Sequence, residues 1–193
     1  MKNLKFIHIT KTAGTSIEDI GKKAGLNWGR FHKEYAQRWH RPFSTINQNI
    51  KEKYDWFTVV RNPYDRILSE FYCRWTPPTN KNVSIIEFNK QTRSHILNRY
   101  KNRYALDFHY TEQYLYIDDN VIIHILKFEN LLDEFNALMQ KYNLNISLNI
   151  KSNTGNKKYT INDFDTETIE LINNVYAQDF EMFNYKIKDT KNE

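Results

Sequence analysis

Cysteine occurs once in the 193 residues, at Cys73, which excludes an intramolecular disulfide framework. Glycine (5) and proline (4) are scarce, so each one carries information about backbone placement. No apolar run approaches the ~20 residues that a membrane-spanning helix requires. The amino end, Met1-Lys2-Asn3-Leu4-Lys5, leads into too few apolar residues before Lys11 for a signal peptide. A soluble, cytoplasmic protein without membrane partners is therefore expected. Neither charge sign dominates: 28 Lys+Arg against 23 Asp+Glu leave a formal +5, which favours anionic partners without naming one. Internal repeats are absent. What is present is 40% hydrophobic and 15% aromatic residues. A chain of this length buries about 70% of the surface it exposes when unfolded, so a single domain over residues 1–193 is expected.

Three short runs read as strands: Leu4 to Ile9, Trp56 to Val60 and Val121 to Leu126, all rich in β-branched or aromatic residues. Each is followed by a helix signal. Thr15 or Ser16 can cap a helix with Ile17, Ile20 and Ala24 on one face, ending near Gly25. Asn62 and Pro63 start a second, with Ile67, Leu68, Phe71, Tyr72 and Trp75 at helical spacing. Leu131, Leu132, Phe135, Leu138, Met139 and Tyr142 form a third stripe, and Ile169, Ile172, Tyr176, Phe180 and Phe183 a last one within Thr166 to Phe183. Strand followed by helix, three times over, predicts an α/β domain on a parallel sheet. Between these elements, residues 26–53 read as a loop-rich excursion ending in a short helix, and Val83 to Tyr100 as a further helix. The polar stretch 143–164 reads as a mobile surface loop.

The most informative stretch is Phe6-Ile7-His8-Ile9-Thr10-Lys11-Thr12-Ala13-Gly14-Thr15-Ser16. A strand delivers the chain into a tight turn and a helix starts at once. Backbone N–H groups of such a turn, with the positive end of the helix dipole, form an anion site. Lys11 adds a charge, and Thr12, Thr15 and Ser16 add hydroxyls. Physics alone leaves this reading level with an ordinary turn whose lysine and threonines are solvated. The stretch departs from the ATP/GTP loop G-x-x-x-x-G-K-[ST], because its lysine comes first and no glycine precedes it. A second anion candidate leaves the next strand: Arg61, whose planar fork suits a phosphate, with Ser69 two helical turns on. Ligands of open α/β sheets sit beyond the carboxyl ends of the strands. The plainer alternatives are a salt bridge from Arg61 to Asp65 and a solvated serine.

Two phosphate sites at neighbouring strand ends suit a nucleoside carrying phosphates at both ends. Residues 7–16 resemble the 5′-phosphosulfate loop of sulfotransferases that use 3′-phosphoadenosine-5′-phosphosulfate (PAPS), and residues 60–72, Val-Arg-Asn-Pro-Tyr-Asp-Arg-Ile-Leu-Ser-Glu-Phe-Tyr, resemble their 3′-phosphate motif. Leu126-Lys127-Phe128-Glu129-Asn130-Leu131 and residues 175–185 are similar to the branch containing heparan sulfate 2-O-sulfotransferase. Thr10 stands where that family usually has proline, and Ala13 where it commonly has glycine. The resemblance implies a P-loop-like three-layer fold and sulfuryl transfer from PAPS to a hydroxyl, on a saccharide or glycan acceptor. It implies that Lys11, Thr12, Ala13, Gly14, Thr15 and Ser16 hold the 5′ end and that Arg61 and Ser69 hold the 3′-phosphate. Lys157 would belong to a loop closing over the nucleotide, beside Lys158; the plainer alternative is a solvated lysine pair.

The acceptor hydroxyl needs a base, and histidine suits that work. His8 and His124 lie within strand runs and read as core; His95 falls in a helix. The resemblance places the base in the excursion before the second strand. Trp39-His40-Arg41-Pro42 favours His40, with His32 and Glu34 as alternatives. His109 and Gln113 resemble a segment near the acceptor cleft and equally read as loop anchors. The six histidines show no metal-ligand spacing, and a sulfuryl group, less charged than a phosphoryl group, needs no magnesium clamp, so no metal is expected. A P-loop nucleotide phosphotransferase is the competing reading. A nucleic-acid-binding module is a third, and it lacks a basic stripe interleaved with aromatics.

Overall fold

The computed structural model describes residues 2–34, 40–76, 81–101, 108–148 and 157–190. They group into two compact units, Met1–Arg61 with Leu115–Ser152, and Asn62–Tyr114 with Asn153–Glu193.

The first unit is built on three parallel strands, β1 (Leu4–Ile7), β2 (Asp55–Val60) and β3 (Ile123–Lys127), in the order β1-β2-β3. Phe57 is opposite Phe6 on one side and His124 on the other. The central strand is buried along its whole length, as a parallel strand covered on both faces must be. On one face Phe6, Phe57, Val59 and Leu126 meet Ile17 of α1 (Gly14–Lys23) and Phe135 and Leu138 of α5 (Leu131–Lys141). Each such fully buried side chain contributes about 1.5–3 kcal/mol. Gly21 lets α1 lie close to Trp28, since a Cβ there would fall 2.5 Å from the indole. On the other face Phe43 meets Trp56 edge-on at 5.1 Å, and the Trp56 indole N–H donates to the Lys51 carbonyl of α2 (Gln48–Lys53) at 2.9 Å. The fold is thus mixed α/β with a parallel sheet flanked by helices, as the alternating pattern predicts.

Both outer strands differ from their sequence-based limits. β1 stops at Ile7 because the chain turns at Thr10, leaving His8 and Ile9 buried outside the ladder. β3 starts two residues late, because Val121 is held in a turn by its N–H bond to the Asp118 carbonyl, 3.2 Å.

The second unit packs α3 (Pro63–Phe71), α4 (Ile85–Leu97), α6 (Thr166–Val175) and α7 (Ala177–Met182) around Ile67, Phe71, Phe88, Ile172, Tyr176 and Phe180. Asn62 caps α3 by accepting the Tyr64 N–H at 3.0 Å, with Pro63 in the first turn. The expected continuation to Trp75 does not occur: the Thr76 hydroxyl donates to the carbonyls of Glu70 and Cys73, closing the helix end, and Trp75 is 70% exposed. Cys73 is buried. The single helix expected from Thr166 to Phe183 breaks at Tyr176, whose hydroxyl donates to the Tyr110 carbonyl at 2.7 Å.

The stretch 143–164 is not simply a surface loop. Leu148 is buried in the core of the first unit, and Leu144 and Ile146 pack on it. Tyr159 and Phe164 stack on Phe88 in the second, with ring centroids 4.5 and 5.3 Å away. Polar neighbours hide these isolated apolar residues from any periodicity. Residues 149–156 of that stretch, and Trp39, lie outside the described residues.

Candidate active site

The turn after β1 is tightened by two residues in the left-handed region, Lys11 (φ 63°) and Ala13 (φ 67°), on either side of Thr12. Such an alternation turns successive N–H groups towards one concavity, which suits an anion. The Thr12 side chain is buried and its hydroxyl donates to the Ile9 carbonyl at 2.8 Å. That hydroxyl closes the turn, so Thr12 can serve an anion through its backbone.

The expected cap at Thr15 or Ser16 is corrected: α1 starts at Gly14 with Ala13 at the N-cap, no side-chain cap and no acidic residue in its first turn. Thr15 and Ser16 lie exposed in that turn. An uncapped, acid-free helix start offers N–H groups and positive dipole to a negative ligand. Left-handed alanine is a cost that glycine does not carry. Ala13→Gly is expected to raise unfolding stability by about 0.5–1 kcal/mol, read from the urea midpoint at unchanged slope. A lower midpoint would show that this backbone is not strained.

Arg61 follows β2 at the same, carboxyl end of the sheet. Its Nη1 donates to the Lys11 carbonyl at 3.3 Å and its guanidinium lies 4.2 Å from the Phe128 ring centre. The Arg61 side chain therefore reaches the backbone of the turn that carries Lys11. The half-buried His40 is in the same unit, its carbonyl accepting from the Tyr116 hydroxyl. Its ring meets the His8 ring edge-on, with centroids 4.3 Å apart.

His8 is more than the core residue expected from sequence. It is 4% exposed, and its Nδ1 lies 2.9 Å from Oε1 of the fully buried Glu18. Burial is the main cause that lowers its pKa to about 4, against the pull of the Glu18 carboxylate. Two of the scarce glycines serve this pair. A Cβ at Gly14 would fall 2.1 Å from the His8 ring, and one at Gly29 would fall 1.8 Å from Glu18 Oε1. The one sequence signal that points to His8 is Glu18, a carboxylate beside Ile17 on the apolar face of a helix.

His32 stands apart from this group. It is 2% exposed, edge-on to Tyr54 at 5.3 Å and tilted against Trp56 at 6.1 Å, where β2 begins rather than ends. Burial first, and Lys5 second, lower its pKa to about 4. Glu34 is held nearby by Lys53 Nζ at 2.6 Å and the Tyr54 hydroxyl at 3.2 Å. His124 bonds the Tyr142 hydroxyl at 2.8 Å, as a satisfied packing residue does.

Ser69 and Lys157 belong to the second unit. Ser69 is half-buried on α3, and the Lys157 ammonium lies 5.8 Å from the Tyr72 ring centre. Lys158 donates to the Val83 carbonyl at 2.7 Å. Gln113 is anchored by its N–H to Asp179, 3.0 Å. His109 bonds Glu70 through Nδ1, between left-handed Phe108 and Tyr110. Glu70, Cys73 and His109 bring metal-type ligand atoms within 4.8 Å of one another. Arg66 Nη2 is 3.5 Å from the other Glu70 oxygen, so both oxygens face donors and a cation already balances the carboxylate. Glu70 is thus held by a buried ion pair with Arg66 and by its bond to His109.

A family model described as "Sulfotransferase family" matches residues 2–186. The chain belongs to the sulfotransferase family. No curated protein and no solved structure matched it. The match runs through both strand-end segments, and sulfuryl transfer is the reaction class of this sulfotransferase. Nucleotide phosphotransfer and plain nucleic-acid binding are set aside with it. Among the described residues, no helix is long and apolar enough to cross a membrane.

Proposed function

We propose that residues 1–193 act as one sulfotransferase domain that moves the sulfuryl group of PAPS to a hydroxyl of a saccharide acceptor, without a metal. The observation that carries the reading is the bond from Arg61 to the Lys11 carbonyl, which joins the two anion motifs at one end of the sheet. In this reading the N–H groups of residues 11–16 hold the 5′-phosphosulfate, and Arg61, with Ser69, takes the 3′-phosphate. The Lys11 ammonium meets charge growing on the bridging oxygen, the kind of fixed electrostatics that dominates group transfer. Lys157 closes on the nucleotide.

His40 is the base. It removes the acceptor proton as the acceptor oxygen bonds sulfur. The bond from sulfur to the bridging oxygen breaks, and its electron pair leaves with adenosine 3′,5′-bisphosphate. Half-burial of His40 supports this choice, because a base must meet an incoming hydroxyl. His32, enclosed by Tyr54 and Trp56, has no such access. Calorimetry in the presence of a chelator tests the reading: adenosine 3′,5′-bisphosphate should bind without metal and raise the melting temperature by mass action. Absence of metal-free binding would overturn it.

A further inference from the structure

Glu18 is a carboxylate with no exposure at all, on the sheet-facing side of α1. Burying an ionisable group costs several kcal/mol unless it is paired and hydrogen-bonded. Around Glu18 the chain supplies donors from two directions. Arg30 brings its backbone N–H to Oε1 at 2.9 Å and its Nε to 3.5 Å from Oε2, while its Nη2 pairs with Asp19. Gly29, at φ +51°, bends the chain so that this N–H arrives where no side chain would fit. The remaining partner of Oε1 is His8 Nδ1.

Because Arg30 offers only donors, its N–H to Oε1 and its guanidinium at ion-pair distance from Oε2, the hydrogen between Glu18 and His8 is assigned to Nδ1. The lone pair of a neutral His8 is then on Nε2. That nitrogen lies against Gly14, where an added Cβ would come within 2.2 Å of it. Gly14 opens α1 inside the anion-binding turn, so the bare nitrogen is turned towards the turn and not towards the core. The His8 and His40 rings meet at a steep angle, with centroids 4.3 Å apart.

Resting on the reading of His40 as base, we infer that Glu18 is a positioning residue: it locks His8 in the Nδ1–H tautomer and in one orientation, and His8 in turn sets the ring of His40. The lock also has an electrostatic effect. A neutral His8 lets His40 take the acceptor proton without a like charge 4.3 Å away. Glu18 and Arg30 are charged groups that act on His8, the latter already shared with Asp19.

The test is long-range proton–nitrogen spectroscopy on protein labelled with ¹⁵N-histidine, with His8 assigned by its loss in His8→Gln. At neutral pH, His8 should show a protonated Nδ1 and a bare Nε2. In Glu18→Gln, which keeps the shape, the tautomer should change and the His40 signals should move. Turnover of PAPS should fall by about tenfold, a part of a general base's contribution, at unchanged bisphosphate affinity. A proton on Nε2 of His8 in the unaltered protein overturns the inference, as does a Glu18→Gln protein with unchanged tautomer and turnover. Should Glu18→Gln not fold, the spectrum of the unaltered protein decides alone. The correct tautomer in a protein that does not bind the bisphosphate supports the lock while removing the proposed function, so the two fail separately.

Discussion

His40→Ala is expected to bind adenosine 3′,5′-bisphosphate as tightly as the unaltered protein and to lose sulfuryl transfer by about 10²–10⁴-fold, the usual worth of a positioned base. The split follows from where the residue stands. His40 packs against His8 and is tied through its own carbonyl to the Tyr116 hydroxyl. Its ring is not among the N–H groups of residues 11–16 proposed to hold the bisphosphate. Truncation leaves the Tyr116 bond intact, because that bond is to the backbone. The informative comparison is His32→Ala. With His32 enclosed by Tyr54 and Trp56, that variant is expected to lose stability, by about 2–4 kcal/mol as large-to-small core changes do, and to keep turnover per folded molecule. Retained turnover in His40→Ala would take the role of base away from His40.

Arg61→Ala is expected to weaken bisphosphate binding by about 30-fold to 1000-fold, the 2–4 kcal/mol that removing one partner of a desolvated, charge-assisted contact costs. Two effects add. The cation itself is lost, and so is the brace from its Nη1 to the Lys11 carbonyl, which ties the end of β2 to the turn after β1. Arg61→Lys separates them: it keeps the charge but loses the fork and the stacking over Phe128, so it should recover only part of the affinity. Calorimetry at two salt concentrations reads both, since a surviving point charge is more sensitive to screening than a fixed bidentate contact. Unchanged affinity in Arg61→Ala would place the 3′-phosphate elsewhere and remove the main support for a doubly anchored nucleotide.

Much of this frame was legible in the chain itself. Asn62-Pro63 marked a helix start and delivered one, because a cap and a fixed φ are local properties. The turn between β1 and α1 was legible for the same reason, but the start of its helix was not. The chain places Ala13, not a hydroxyl residue, at the left-handed position, and no side chain closes the helix start. Errors gathered where a local signal was overruled from a distance. Tyr176 interrupts a continuous helical stripe because its hydroxyl is drawn to the Tyr110 carbonyl. Leu148, Tyr159 and Phe164 enter the cores from a stretch whose composition reads as solvated.

The histidines divide along the same line. The sequence by itself determined the alternation of strands and helices, the cations at two strand ends and the lack of disulfides, because each depends on residue type and spacing over a few turns of chain. The tertiary structure alone decided which histidines meet and which is enclosed. Bringing His8 onto Glu18 and His40, and enclosing His32 with Tyr54 and Trp56, takes side-chain packing between segments ten to thirty-two residues apart. Five glycines were too few to suggest a pattern. Two of them proved to be the space in which that pairing fits.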